Sequence, residues 1–81
     1  MTIFVGNLNY KASPDELKAF FSQQWEVKAV TIPTDRETGL TRGFAFVELN
    51  GEAAEQEAIE KANGSEFMGR ALRLDWAKPR H

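Results

Sequence analysis

Arg42-Gly43-Phe44-Ala45-Phe46-Val47-Glu48-Leu49 reads as a β-strand in which successive side chains take opposite faces. One set is Gly43, Ala45, Val47 and Leu49; the other is Arg42, Phe44, Phe46 and Glu48. Both sets contain apolar residues, so hydrophobicity alone does not choose the buried face. The charges choose it. Arg42 and Glu48 bracket the phenylalanines on one side, and burying unpaired charges is expensive. The small and aliphatic set therefore faces the core, and Phe44 and Phe46 face outward.

The flanking segments fit around this strand. Thr2–Gly6 is a strand with Ile3 and Val5 inward, and Thr2 and Phe4 outward. Ser13-Pro14-Asp15-Glu16 opens a helix: Ser13 caps, Pro14 suits the first helical position, and Glu16 completes a capping box. Leu17, Phe20 and Phe21 then form one apolar stripe. Val27–Pro33 is a second strand, with Val30 and Ile32 inward and Ala29 and Thr31 outward. Thr34–Thr41 is a polar connection in which Asp35 starts a turn and Gly39 supplies positive φ. Glu52–Ala62 is a helix with Ala54, Ala58, Ile59 and Ala62 on one side and Gly64 near its end. Ala71–Trp76 is a fourth strand, with Leu72 and Leu74 inward and Arg73 and Asp75 outward.

The order is β-α-β-β-α-β. Two strand-helix-strand units with right-handed crossovers put both helices on one face of a four-stranded antiparallel sheet. The expected class is α+β, a ferredoxin-like sandwich with an open sheet face. Phe4, Phe44 and Phe46 stand on that face. Burying a phenylalanine is worth roughly 1.5–3 kcal/mol. Leaving three outside the core forgoes that stabilisation, and a contiguous apolar patch usually marks a binding site. The competing reading, that a tail folds over them, fits poorly: only Ala77–His81 follow Trp76.

Composition narrows the function. The chain has 81 residues, room for one domain (1–81). Without cysteine, disulfides and thiolate metal sites are excluded, and the single histidine is His81. No catalytic residues, metal or cofactor are expected. Apolar runs are too short to span a membrane, and the N-terminus enters a strand pattern at once, without a signal peptide. A cytoplasmic monomer with no membrane partner is expected. The net charge of −2 argues mildly against nucleic acid. Its distribution matters more: Glu52, Glu55, Glu57 and Glu60 crowd one helix, while Arg36, Arg42, Arg70, Arg73, Lys78 and Arg80 lie in strands, in the loop before one strand, or in the tail. With helices and sheet on opposite sides this gives an acidic back and a more basic front, but from charge alone an ordinary solvated mixed surface is the favoured reading.

The strand quoted first resembles the longer ribonucleoprotein motif of the RNA recognition motif (RRM) family, K/R-G-F/Y-G/A-F-V-x-F/Y. Seven positions match, and Leu49 replaces the final aromatic at an inward position. Ile3-Phe4-Val5-Gly6-Asn7-Leu8 resembles the shorter motif of the same family. Ala54, Ala58-Ile59 and Asn63-Gly64 resemble its second helix and turn, and Gly69-Arg70 with Leu72 and Leu74 its last strand. The resemblance spans nearly the whole chain and is greatest to short single-RRM proteins of bacteria, notably cyanobacteria, and to plant glycine-rich RNA-binding proteins without their tail. One departure stands out: an aromatic followed by glycine usually ends the first helix, and here Gln24-Trp25 stands there. Trp25 is expected to restore the packing.

The resemblance implies single-stranded RNA as partner, with post-transcriptional regulation as the role and single-stranded DNA as a further candidate. It implies a base on Phe4 and on Phe44, Phe46 between two riboses, and Arg42 on a phosphate. It also implies that Arg73, Asp75, Lys78 and Arg80 read base edges, against the plain alternative of solvated charge. Lys28 and Thr31 could touch RNA from the second strand, with plain solvation the favoured reading; Asn7 is read as a loop hydrogen-bonder, and Tyr10 and Trp76 as packing. Two other functions compete. A protein-protein interaction module on the same fold is set against by retention of the sheet aromatics. A small hydrolase on a ferredoxin-like fold would need a phosphate loop and an activated nucleophile, and the sequence has neither.

Overall fold

Capping and alternation place the elements of the computed structural model, which describes residues 2–77. They run β1 (Ile3–Gly6), α1 (Pro14–Ser22), β2 (Val27–Thr31), β3 (Ala45–Leu49), α2 (Glu52–Ala62), β4 (Glu66–Phe67), β5 (Arg70–Ala71) and β6 (Arg73–Trp76). The main sheet is antiparallel in the order β2-β3-β1-β6, and β4 and β5 form a separate hairpin. Four main strands and two helices on one side give the expected ferredoxin-like sandwich.

α1 begins as its sequence dictates. The Ser13 hydroxyl accepts from the Glu16 amide at 3.2 Å, which caps the helix, and donates to the Glu16 carboxylate at 3.0 Å, so the two side chains are joined directly. Leu17 and Phe21 are fully buried, and Phe20 packs edge-on against both Phe21 and Phe67. Beyond the helix, Trp25 rests on Phe21 with ring centroids 6.2 Å apart, and its indole N–H donates to Glu57 of α2 at 3.2 Å. Trp25 thus fills the corner where Gln24 offers nothing apolar.

The core lies between sheet and helices. Ile3, Val5, Ala45, Val47, Leu49, Leu72 and Leu74 are buried from the sheet side, and Leu17, Phe21, Ala58 and Ala62 from the helices. These are the inward sets that the alternation required. Val30 and Ile32 pack against the same core from the edge.

Four local features depart from the sequence reading. β3 begins at Ala45 rather than Arg42. Gly43 has φ +89, which breaks the pleat, and its N–H is taken by the Thr41 hydroxyl at 3.1 Å. β2 ends at Thr31, and its register slips at Lys28: Val27 pairs with Leu49 while Ala29 pairs with Glu48, so one residue bulges out. The last segment is split, Ala71 belonging to the hairpin whose turn residues Met68 and Gly69 both have positive φ, as a tight hairpin with right-handed twist requires. Finally, Glu55 is not part of an exposed acidic face. It is 2% exposed and accepts the Leu49 amide at 3.1 Å.

The Thr34–Thr41 connection is ordered as expected. Thr34 and Thr41 bridge, Asp35 accepts the Glu37 amide at 2.8 Å, and Gly39 has φ +73. Among the described residues no helix is long and apolar enough to cross a membrane.

Candidate nucleic-acid interface

The antiparallel register lines up one residue from each strand across the open face. Thr31 pairs with Phe46, Phe46 with Phe4, and Phe4 with Asp75. Phe44 joins this row from just outside the β3 ladder. Its ring lies nearly parallel to Phe4 at 5.8 Å and edge-on to Phe46 at the same distance, while Phe4 and Phe46 meet edge-on at 6.0 Å. Gly43 disturbs the strand without rotating Phe44 off this face.

The three rings are half-buried, not fully exposed, because they shield one another. Such contacts are worth about 0.5–1.5 kcal/mol per pair beyond area burial. The cluster is thus partly self-supporting and presents a preformed apolar platform. Gly6 helps shape it: a Cβ there would lie 3.0 Å from Phe4 Cε1, so any larger residue makes that ring give by a few tenths of an ångström. The sequence reading did not single out Gly6. Its signal was available in the spacing, since residues 4 and 6 share a face.

Polar groups frame the platform. Arg73 pairs with Gly6 across the sheet and is exposed, as is Asp75. The Asp75 carboxylate accepts the Trp76 amide at 2.8 Å, which leaves further acceptor capacity on the open face. On one flank, Phe4, Asn7, Asn63, Arg73 and Asp75 line a cleft of about 740 Å³ along β6. Within it the Asn63 side chain accepts the Leu74 amide at 2.9 Å, and Asn7 donates to the Ala71 carbonyl at 2.7 Å. Asn7 is the loop hydrogen-bonder its position suggested. On the other flank, Arg42 is exposed and lines a shallow cleft of about 320 Å³ with Thr34, Asp35 and Arg36. Among the described residues the one ion pair, Lys61 with Glu57 at 3.5 Å, lies on α2 and away from Arg42 and Arg73.

The structure therefore brings together Phe4, Phe44, Phe46, Arg73 and Asp75 and places Arg42 at the edge of the group. Lys78 and Arg80 lie outside the described residues. Thr31, for which solvation is favoured over RNA contact from sequence, stands directly beside Phe46. Tyr10, read as packing, is 53% exposed.

Comparison with known proteins agrees with this geometry. The family model described as the RNA recognition motif matches residues 3–73. RbpD of Nostoc sp. strain PCC 7120, named as an RNA-binding protein, is 59% identical over 80 residues, covering 99% of this chain and 85% of the relative. RbpA of Synechocystis sp. strain PCC 6803, named likewise, is 54% identical over 80 residues, covering 99% and 79%. The crystal structure of RNA binding protein PG1 superposes with a TM-score of 0.87 at 42% identity, covering 100% of this chain and 98% of that one. The Sxl-lethal protein–RNA complex superposes with a TM-score of 0.90 at 29% identity, covering 99% of this chain and 48% of that one. With the sheet order, the aromatic face and these matches in agreement, the chain belongs to the RNA recognition motif family.

Proposed function

We propose that the open sheet face binds short single-stranded RNA, with bases stacked on Phe4 and Phe44, Phe46 against riboses and Arg42 on a phosphate. The observation that carries this reading is the cluster of three half-buried rings on the face opposite the helices. Every base has an aromatic face, and stacking contributes roughly 1–3 kcal/mol per base. A duplex hides those faces, so unpaired RNA is the substrate, and single-stranded DNA is a weaker one that lacks the 2′-hydroxyl. Relatives named as RNA-binding proteins and a structural neighbour in complex with RNA support the assignment.

Arg73 and Asp75 flank Phe4, which supports giving them the reading of base edges; Lys78 and Arg80 are assigned to the same strip on the family resemblance alone. Residues 1–81 act as one domain and as a monomer, in the cytoplasm, in post-transcriptional regulation. A protein-binding use of the fold is disfavoured because the aromatic platform is intact. The test is direct binding of fixed-length randomised RNA pools to the wild-type chain and to Phe44→Ala. Binding that survives unchanged in the variant would remove the platform from the site.

A further inference from the structure

The open face carries carboxylates, from which a surface that held RNA by charge alone would gain nothing. Asp75 stands beside Phe4 at one edge. Glu48 lies two residues beyond Phe46 on the same face of β3 and is half-buried. Its neighbours across the sheet are short. Ala29 pairs with it from β2, and the Thr2 hydroxyl, just before β1, donates to Glu48 Oε1 at 3.2 Å. A carboxylate between two short side chains leaves room for a planar ring above it, next to the Phe46 ring.

A purely structural role does not use this carboxylate up. The bond to Thr2 engages Oε1, and Oε2 has no partner among the described residues. Lys28, the bulged residue of β2, lines a small cleft with Glu48, yet among the described residues no ion pair joins the two. Covered by an RNA strand, such a carboxylate costs affinity unless the RNA brings hydrogen-bond donors to it.

Guanine alone among the RNA bases presents two adjacent donors, N1–H and the N2 amino group, on its Watson–Crick edge, and they match the two oxygens of an ionised carboxylate. Adenine and cytosine set one amino group beside a ring-nitrogen acceptor. Uracil sets its N3–H between two carbonyls. Each of these turns an acceptor toward a carboxylate oxygen. Readout of single strands uses this edge of splayed-out bases. The geometry points to Glu48 as a guanine-selecting residue: a guanine over the Ala29–Glu48–Thr2 row donates N1–H and N2–H to the carboxylate, which the Thr2 hydroxyl holds in place. This rests on the sheet-face reading and adds a base identity to it. Selection comes from rejecting the other bases as well as from accepting guanine.

The test is titration of uridine hexamers carrying a single guanine, inosine, adenine or cytosine, moved through each position in turn, into the wild type, Glu48→Gln, Glu48→Ala and Phe44→Ala. At one position the wild type prefers guanine to adenine, cytosine and uracil by at least about fivefold, the lower end for a bidentate base contact. Inosine, which lacks the N2 amino group, loses most of that preference. Glu48→Gln keeps the side-chain size and an acceptor for Thr2 but offers one donor and one acceptor, so the preference moves toward adenine or cytosine. Glu48→Ala abolishes it. Equal binding of guanine and inosine, or a guanine preference unaltered in Glu48→Gln, overturns the assignment. So does a Glu48→Gln variant that binds every hexamer more tightly by the same factor, since Glu48 would then only repel phosphate. Phe44→Ala binding all hexamers like the wild type overturns instead the sheet-face reading beneath it.

Discussion

The ring of Phe4 folds over Gly6 on the open sheet face, where a Cβ would lie 3.0 Å from Phe4 Cε1. Gly6→Ala therefore pushes that ring by a few tenths of an ångström and disturbs its near-parallel arrangement with Phe44. Alanine also removes the conformational freedom that glycine loses on folding, which offsets part of any strain. The expected outcome is a severalfold loss of RNA affinity with little change in melting temperature, checked by titration and thermal denaturation. Unchanged affinity would mean that the Phe4 orientation is immaterial.

Phe44 and Val47 separate binding from stability. Phe44 is half-buried through contacts with Phe4 and Phe46, so Phe44→Ala costs about 1 kcal/mol of stability, of the order of an aromatic pair. The same change removes a stacked base, roughly 1–3 kcal/mol of binding. Val47 is fully buried, and Val47→Ala is expected to cost roughly 1–3 kcal/mol of stability while the folded fraction binds RNA normally. Denaturant melts and titrations on both variants check the pattern, and a larger stability loss from Phe44→Ala than from Val47→Ala would reverse the face assignment.

Arg42 and Arg73 differ in what they contact. Each phosphate contact on a single strand contributes roughly 0.7 to the slope of log affinity against log salt. Arg42→Ala should flatten that slope by about this amount and weaken unrelated sequences alike. Arg73 lies across from Gly6 beside the Phe4 ring, so Arg73→Ala should alter preference among sequences more than the salt slope. Salt titrations against two unrelated oligomers decide both, and an unchanged slope in Arg42→Ala removes Arg42 from the site.

Glu55 is a structural carboxylate on a helix that otherwise reads as solvated. Its side chain accepts the Leu49 amide at the end of β3. Glu55→Ala leaves that buried N–H without its acceptor, at about 1–3 kcal/mol. Chemical denaturation should show the loss, with RNA affinity of the folded protein unchanged. Wild-type stability in Glu55→Ala would show that the contact is dispensable.

The outward placement of Phe44 and Phe46 could be read from the sequence because Arg42 and Glu48 share their parity, and charge decides burial where hydrophobicity does not. The Ser13 cap was equally readable, since its reciprocal bonds are local. The break at Gly43 was not: a glycine within an alternating run is compatible with a continuous strand, and only the bond to Thr41 and the pairing with Leu8 select positive φ. The slip at Lys28 and the Met68-Gly69 turn are likewise fixed by pairing partners distant in sequence. Glu55 left a signal that composition masked. It lies three and seven residues before Ala58 and Ala62, on the buried stripe of α2. Tyr10 gave none, because its exposure follows from how its loop docks against Gly43.

The most direct test is to map NMR shifts of backbone amides and phenylalanine rings as a short randomised RNA pool is added. The expected result is that the shifts cluster on Phe4, Arg42, Phe44, Phe46 and Arg73, while the outer face of Glu52–Ala62 stays silent. Shifts that cluster on Glu52–Ala62 and spare the three rings would contradict RNA binding on the open sheet face.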